Sequence, residues 1–141
     1  MPASTLGHLQ VNIHMVNKNF YKDLFTFLGW KVLMEAVFDD GTEMLGIEDE
    51  RRASLWFVEP IHKQQAGDYD GIGMNHLALS VPDPAAVDET VAYLKQHGVP
   101  ALFETPRHRP EFCDSPDTSY YQVMFESPDH ILFEVVYTGL K

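Results

Sequence analysis

One cysteine in 141 residues, Cys113, rules out an intrachain disulfide and any paired-cysteine zinc site, and in a polar loop it reads as a bystander thiol. No run of about 18 apolar residues occurs, so no stretch has the length of a membrane-spanning helix. The N-terminus lacks a basic region followed by an apolar core, as a secretory leader would have, and the expected compartment is the cytoplasm. Positive charge is scarce as well: ten Lys and Arg against 21 Asp and Glu leave a net charge of −11. Without surplus cations to displace counterions from phosphates, no nucleic-acid partner is expected. A Gly-rich phosphate loop and a nucleophile-elbow serine are both missing, which leaves nucleotide hydrolysis and serine hydrolysis without support. What is present is an ordinary globular composition, 45% hydrophobic and 22% charged, sufficient for one domain or two half-domains with a real core.

Two stretches echo each other. Leu6-Gly7-His8-Leu9-Gln10-Val11-Asn12-Ile13 and Gly73-Met74-Asn75-His76-Leu77-Ala78-Leu79-Ser80-Val81 each place a histidine in an expected strand. Each runs into an expected helix that ends at a glycine, Gly29 or Gly98, 21 and 22 residues beyond its histidine. A repeat on this scale predicts a duplicated module of four strands and one helix. In the first copy the strands are expected at 6–14, 31–38, 43–47 and 53–58, with a helix over 17–28. Residues 59–72, rich in Pro, Gly and polar side chains, read as the linker region. The second copy is expected to have strands near 75–81, 100–104, 119–125 and 130–137, and a helix from Pro84 to Gln96.

Alternation decides which side chains are available for chemistry. Leu9, Val11 and Ile13 share one strand face, so His8, Gln10 and Asn12 occupy the other; Leu77, Leu79 and Val81 likewise oppose His76, Ala78 and Ser80. Glu134 is a lone carboxylate in the apolar run 131–137, where burial demands a cation, a hydrogen-bond partner or water. His8, His76 and Glu134 are therefore a candidate set of two imidazoles and one carboxylate, suited to a divalent metal with open positions. His14, His62, His97, His108 and His130 receive no role, although His97 beside Gly98 fits a helix C-terminus.

The segments His8-Leu9-Gln10-Val11, Asn19-Phe20-Tyr21-Lys22-Asp23-Leu24, Leu28-Gly29-Trp30, Asn75-His76-Leu77-Ala78-Leu79 and Phe125 to Glu134 together resemble the vicinal oxygen chelate superfamily of glyoxalases, bleomycin-resistance proteins and extradiol dioxygenases. The resemblance spans nearly the whole chain. It departs from the family at Ser127-Pro128-Asp129-His130, where an Asp-Pro-Asp-Gly turn is usual. It implies an α+β fold of two tandem βαβββ modules forming a half-open, cup-shaped mixed sheet with helices outside. Module 1 would cover about 5–59, a linker about 60–72 and module 2 about 73–138 of a single domain.

The resemblance further implies that His8, His76 and Glu134 hold a divalent metal (Fe, Mn, Zn or Ni), while the fourth family position falls near Trp56, which cannot bind one. Glu59 lies three positions further on and on the other face. Tyr120, Gln122 and Met124 would face the cup with Trp56 opposite; Arg107 or Arg109, in an expected loop over 105–112, would bind a substrate carboxylate or phosphate if that loop covers the cup mouth, and otherwise would pair with Glu104, Glu111 or Asp114 in a solvated connector. The implied chemistry is chelation of a small oxygen-rich substrate through neighbouring oxygens, in ring-cleaving dioxygenation, lyase or isomerase chemistry, or thiol transfer. The alternative is a metal-free drug- or metabolite-binding protein of the bleomycin-resistance type. A homodimer would cover open sheet edges.

Overall fold

The computed structural model describes residues 1–63 and 67–141 and divides into two compact units, Met1–Gln65 and Ala66–Lys141. The expected linker straddles that division, and its residues 64–66 lie outside the described residues. Each unit is a βαβββ module, so the α+β tandem architecture expected from the repeat is what the chain adopts.

In the first unit β1 (His8–Asn12) leads through a 3₁₀ turn to α1 (Lys18–Phe27), then β2 (Lys31–Val37), β3 (Glu43–Glu48) and β4 (Ser54–Val58). The sheet order is β1-β4-β3-β2, with β1 parallel to β4 and the other pairs antiparallel. The second unit repeats this with β5 (Leu77–Ser80), α2 (Pro84–Gln96), β6 (Leu102–His108), β7 (Thr118–Glu126) and β8 (Leu132–Leu140) in the order β5-β8-β7-β6. Most boundaries differ by a few residues from those expected, and three of the differences bear on the site. His76 precedes β5 instead of lying in it; β6 extends through Arg107 and His108, which the sequence reading placed in a loop; and β8 begins at Leu132 because His130 turns the chain at φ 61°.

Both helices end in the same way. Gly29 and Gly98 sit at φ 87° and 69°, a left-handed conformation that glycine adopts without penalty. The next amide reaches back to the last turn in each case, from Trp30 to the Phe25 carbonyl and from Val99 to the Leu94 carbonyl, both 2.9 Å. At its start α2 carries Pro84, with the Asp83 carboxylate accepting from the Ala86 amide at 2.8 Å. Tyr21, Leu24 and Phe25 are spaced three and four apart, which puts them on one stripe of α1, and Tyr21 and Phe25 meet Phe57 with ring centroids 4.6 and 5.8 Å apart. In the second unit Phe125 and Phe133 stack at 5.6 Å on the helix side of the sheet.

The sheet face away from each helix is where the modules diverge. Gln10 pairs with Trp56 in the first register and Ala78 with Glu134 in the second, so Trp56 occupies the place that Glu134 takes in its own module. The Trp56 indole covers Gly46, its cross-strand partner; a Cβ at Gly46 would overlap the ring, with Cε3 2.7 Å and Cη2 2.8 Å away. Gly46→Ala should therefore cost about 1–3 kcal/mol through overpacking. Combining it with Trp56→Leu should restore part of that loss in urea unfolding, and strictly additive losses would disprove the contact.

Candidate active site

Glu134, in the middle of β8, is 2% exposed and makes three hydrogen bonds to side chains of its own unit. Antiparallel pairing places Met124 directly opposite it, Gln122 opposite Val136 and Tyr120 opposite Thr138. Tyr120, Gln122 and Glu134 thus project from one face, two residues apart along their strands. The Tyr120 hydroxyl and the Gln122 amide both donate to Glu134 Oε1 at 2.6 Å. Burial, followed by this hydrogen bond and the charge of Glu134, pushes the Tyr120 phenol up to about 12, with Arg109 pulling the other way. Tyr120 is therefore a donor throughout the neutral range.

The second carboxylate oxygen faces His76. Its Oε2 lies 2.9 Å from Nε2 of the imidazole, whose side chain is 34% exposed. The other ring nitrogen, Nδ1, is 2.7 Å from Asn75 Oδ1. A neutral ring that donates from Nδ1 presents a lone pair at Nε2, and a lone pair facing a carboxylate oxygen requires a cation between them, either a proton or a metal ion. Two ligand atoms bound at about 2.1 Å and at right angles on one ion are about 3 Å apart. The observed spacing fits that arrangement, and the donor set, one imidazole and one carboxylate with its far oxygen already anchored, fits a divalent metal.

The structure brings His76, Glu134, Tyr120 and Gln122 into one cluster. His8 and Trp56 belong to the first unit: His8 pairs with Ser54 on the exposed face of β1, and the Trp56 indole donates to Ser54 Oγ at 3.0 Å. Among the described residues, neither unit gathers three His, Cys, Asp or Glu side chains. Glu59 accepts from the Met15 amide at 2.8 Å and pairs with Lys63. Arg107 is not in a loop. It lies on β6 opposite Gln122, with Nη1 3.4 Å from Glu104, because positive φ at Phe103 and Glu104 shifts the β6 register and carries the strand past Pro106.

A cavity of about 380 Å³ opens beside His76 and Glu134, and its basic wall is Arg109, not Arg107. The Arg109 guanidinium lies 4.8 Å over the Phe112 ring and donates to Glu111 and, at 3.3 Å, to Gln122 Oε1. Phe112 in turn meets Tyr120 edge-on at 5.4 Å. Phe103, Met124 and Leu132 complete an apolar wall. Of the two arginines in that stretch the sequence favours Arg107 for the substrate, whereas Arg109 lines the cavity; Phe103 and Phe112 are not singled out by the sequence. The short 3₁₀ turn Pro110–Phe112 delivers Phe112 to the cavity.

The sequence profile of the Glyoxalase/Bleomycin resistance protein/Dioxygenase superfamily matches residues 5–135. The chain belongs to that superfamily. Among solved structures it is similar to a protein of Bacillus halodurans described as a candidate glyoxalase, at 25% identity over 94% of both chains with a TM-score of 0.75. The fosfomycin resistance protein FosX of Listeria monocytogenes is 18% identical over 95% of this chain and 93% of its own, with a TM-score of 0.66. Lactoylglutathione lyase of Agrobacterium tumefaciens is 19% identical over 96% and 95%, also at 0.66. At those identities the last two show the fold alone. No curated protein sequence matches the chain. No helix among the described residues is long and apolar enough to cross a membrane.

Three of the six tyrosines, Tyr69, Tyr120 and Tyr121, are held at about 12, Tyr69 and Tyr121 first through hydrogen bonds to Glu126 and Asp88. A folded-state value raised above the ordinary 10 favours the native state below about pH 10, and that contribution is lost as pH rises through about 12. Tyrosinate absorbance should accordingly resolve a late-ionising group that merges with the rest in denaturant. Tyr120→Phe should remove one member of that group.

Proposed function

We propose that this chain is a metal-dependent enzyme whose divalent ion is held by His8, His76 and Glu134, and which acts on a small substrate bearing neighbouring oxygens. The observation that carries the reading is the 2.9 Å approach of His76 Nε2 to Glu134 Oε2, with the opposite side of each ligand already engaged by Asn75 or by Tyr120 and Gln122. His8 is included because it holds in β1 the modular place that His76 holds before β5, on the exposed, helix-distal face of its sheet.

The ion would supply Lewis-acid stabilisation of oxyanion charge developing on the chelated substrate. Tyr120 and Gln122 keep Glu134 Oε1 occupied and leave Oε2 as the binding atom. Arg109, with donors beyond those given to Glu111 and Gln122, lines the cavity where a substrate oxygen would lie, and Phe103, Phe112 and Leu132 limit the access of water. Membership of the Glyoxalase/Bleomycin resistance protein/Dioxygenase superfamily supports this class of chemistry without choosing among dioxygenation, lyase or isomerase chemistry, and thiol transfer. The same reading includes a homodimer, supported by the edge strand β2, on which Val32, Leu33, Met34 and Val37 are exposed.

Elemental analysis of protein purified without a tag or chelator should find about one divalent ion per chain. His8→Ala, His76→Ala and Glu134→Ala should each lower metal affinity more than about 100-fold, beyond the ~10–100-fold typical of outer-shell changes. Iron would direct the substrate search to dioxygenation, manganese to thiol transfer, and zinc or nickel to lyase chemistry. Apoprotein that takes up no added metal would overturn the enzyme reading and leave a ligand-binding protein. In sedimentation, a monomer at all concentrations would remove the dimer.

A further inference from the structure

Asn75 makes a set of contacts that the metal-ligand reading does not use. Its Nδ2 lies 3.0 Å from the Tyr69 carbonyl and 3.4 Å from Asp70 Oδ1, both of them acceptors. The amide therefore has one orientation, with nitrogen toward residues 69–70 and Oδ1 toward His76 Nδ1 at 2.7 Å. Tyr69 is itself fixed: its hydroxyl donates to Glu126 Oε1, its ring lies 5.0 Å from that of His130, and His130 Nδ1 is 2.9 Å from Glu126 Oε2. A continuous chain of contacts thus runs from the turn between β7 and β8, through the segment before β5, to the imidazole.

Two oxygens compete for the single proton of a neutral His76 ring. Glu134 Oε2 attracts it to Nε2, where it would occupy the lone pair a metal needs, and Asn75 Oδ1 attracts it to Nδ1, where the lone pair is left open. Resting on the metal reading above, we propose that Asn75 is a positioning residue for His76. Its amide oxygen, oriented by Tyr69 and Asp70, raises the share of the Nδ1–H tautomer against the pull of Glu134 and so lowers the cost of freeing Nε2 for an ion. Asn75 touches neither metal nor substrate in this role, and its side chain is exposed, so it contributes no core packing.

The test compares Asn75→Leu with Asn75→Asp, the latter made together with Asp70→Asn so that the new oxygen where Nδ2 stood meets an amide donor instead of a second carboxylate, because a tautomer-setting role separates the two. In long-range ¹H–¹⁵N spectra of metal-free protein with the His76 ring neutral, the ratio of Nδ1–H to Nε2–H should fall roughly 3- to 10-fold in Asn75→Leu, the worth of one ordinary hydrogen bond. It should stay the same or rise in Asn75→Asp, whose carboxylate is the stronger acceptor. Calorimetric titration with Mn²⁺ should show about 10-fold weaker binding in Asn75→Leu and near wild-type binding in Asn75→Asp, with melting temperatures unchanged. An unchanged tautomer ratio in Asn75→Leu would overturn the proposal, as would equal losses of Mn²⁺ affinity in both variants. If wild-type protein binds no Mn²⁺ or other divalent ion, the metal reading fails while the tautomer ratio still judges Asn75.

Discussion

A carboxylate almost wholly removed from water, at the centre of a sheet, is the constraint around which the second module is arranged. An unpaired charge in that position costs several kcal/mol, and the cost is offset only if every oxygen finds a donor or a cation. Glu134 meets the condition with Tyr120 and Gln122 on one oxygen and His76 opposite the other. Those partners have to come from positions two residues apart on β7 and from the residue just before β5, which makes register in this sheet a functional quantity. A slip of one residue would turn Tyr120 and Gln122 to the helix side and leave Glu134 buried without partners.

The same ladder extends outward. Gln122 donates to Glu134 and accepts from Arg109, Arg109 stacks on Phe112, and Phe112 packs edge-on against Tyr120, closing a ring of contacts around the cavity. His76 is tied through Asn75 to Tyr69 and so to the β7–β8 turn. Ligand orientation thus comes from a network in which each polar group restrains the next, the arrangement expected where a binding centre must be held before its ligand arrives.

Divergence between the copies is equally informative. Both modules keep the glycine helix stop, the mixed sheet order and a histidine at the start, yet the position of Glu134 is filled in the first module by Trp56 lying on Gly46. One module carries a carboxylate centre, and the other carries an aromatic plate whose packing requires a glycine beneath it. Duplication preserved the scaffold and left the helix-distal face free to specialise.

How much of this was legible in the chain depends on the range of the forces involved. Helix stops, strand alternation and the repeat are set by neighbours a few residues apart, so Gly29, Gly98, the faces of His8 and His76, and the βαβββ plan could be read directly. The superfamily followed from the same segments. Two features resisted reading: the strand character of Arg107, which depends on a register shift at Phe103 and Glu104, and the separation of Arg109 from Arg107, which depends on the turn at Pro110–Phe112. Tyr120 and Gln122 were expected to face the cup, and they line its cavity; their bonds to Glu134 were not legible, since cross-strand pairing joins residues 12 and 14 positions apart that periodicity alone cannot match. Residue order alone sets which side chains lie on which face. Which of them touch is settled in the folded chain, because hydrogen bonds between strands are selected by register and turn geometry, and a local pattern carries neither.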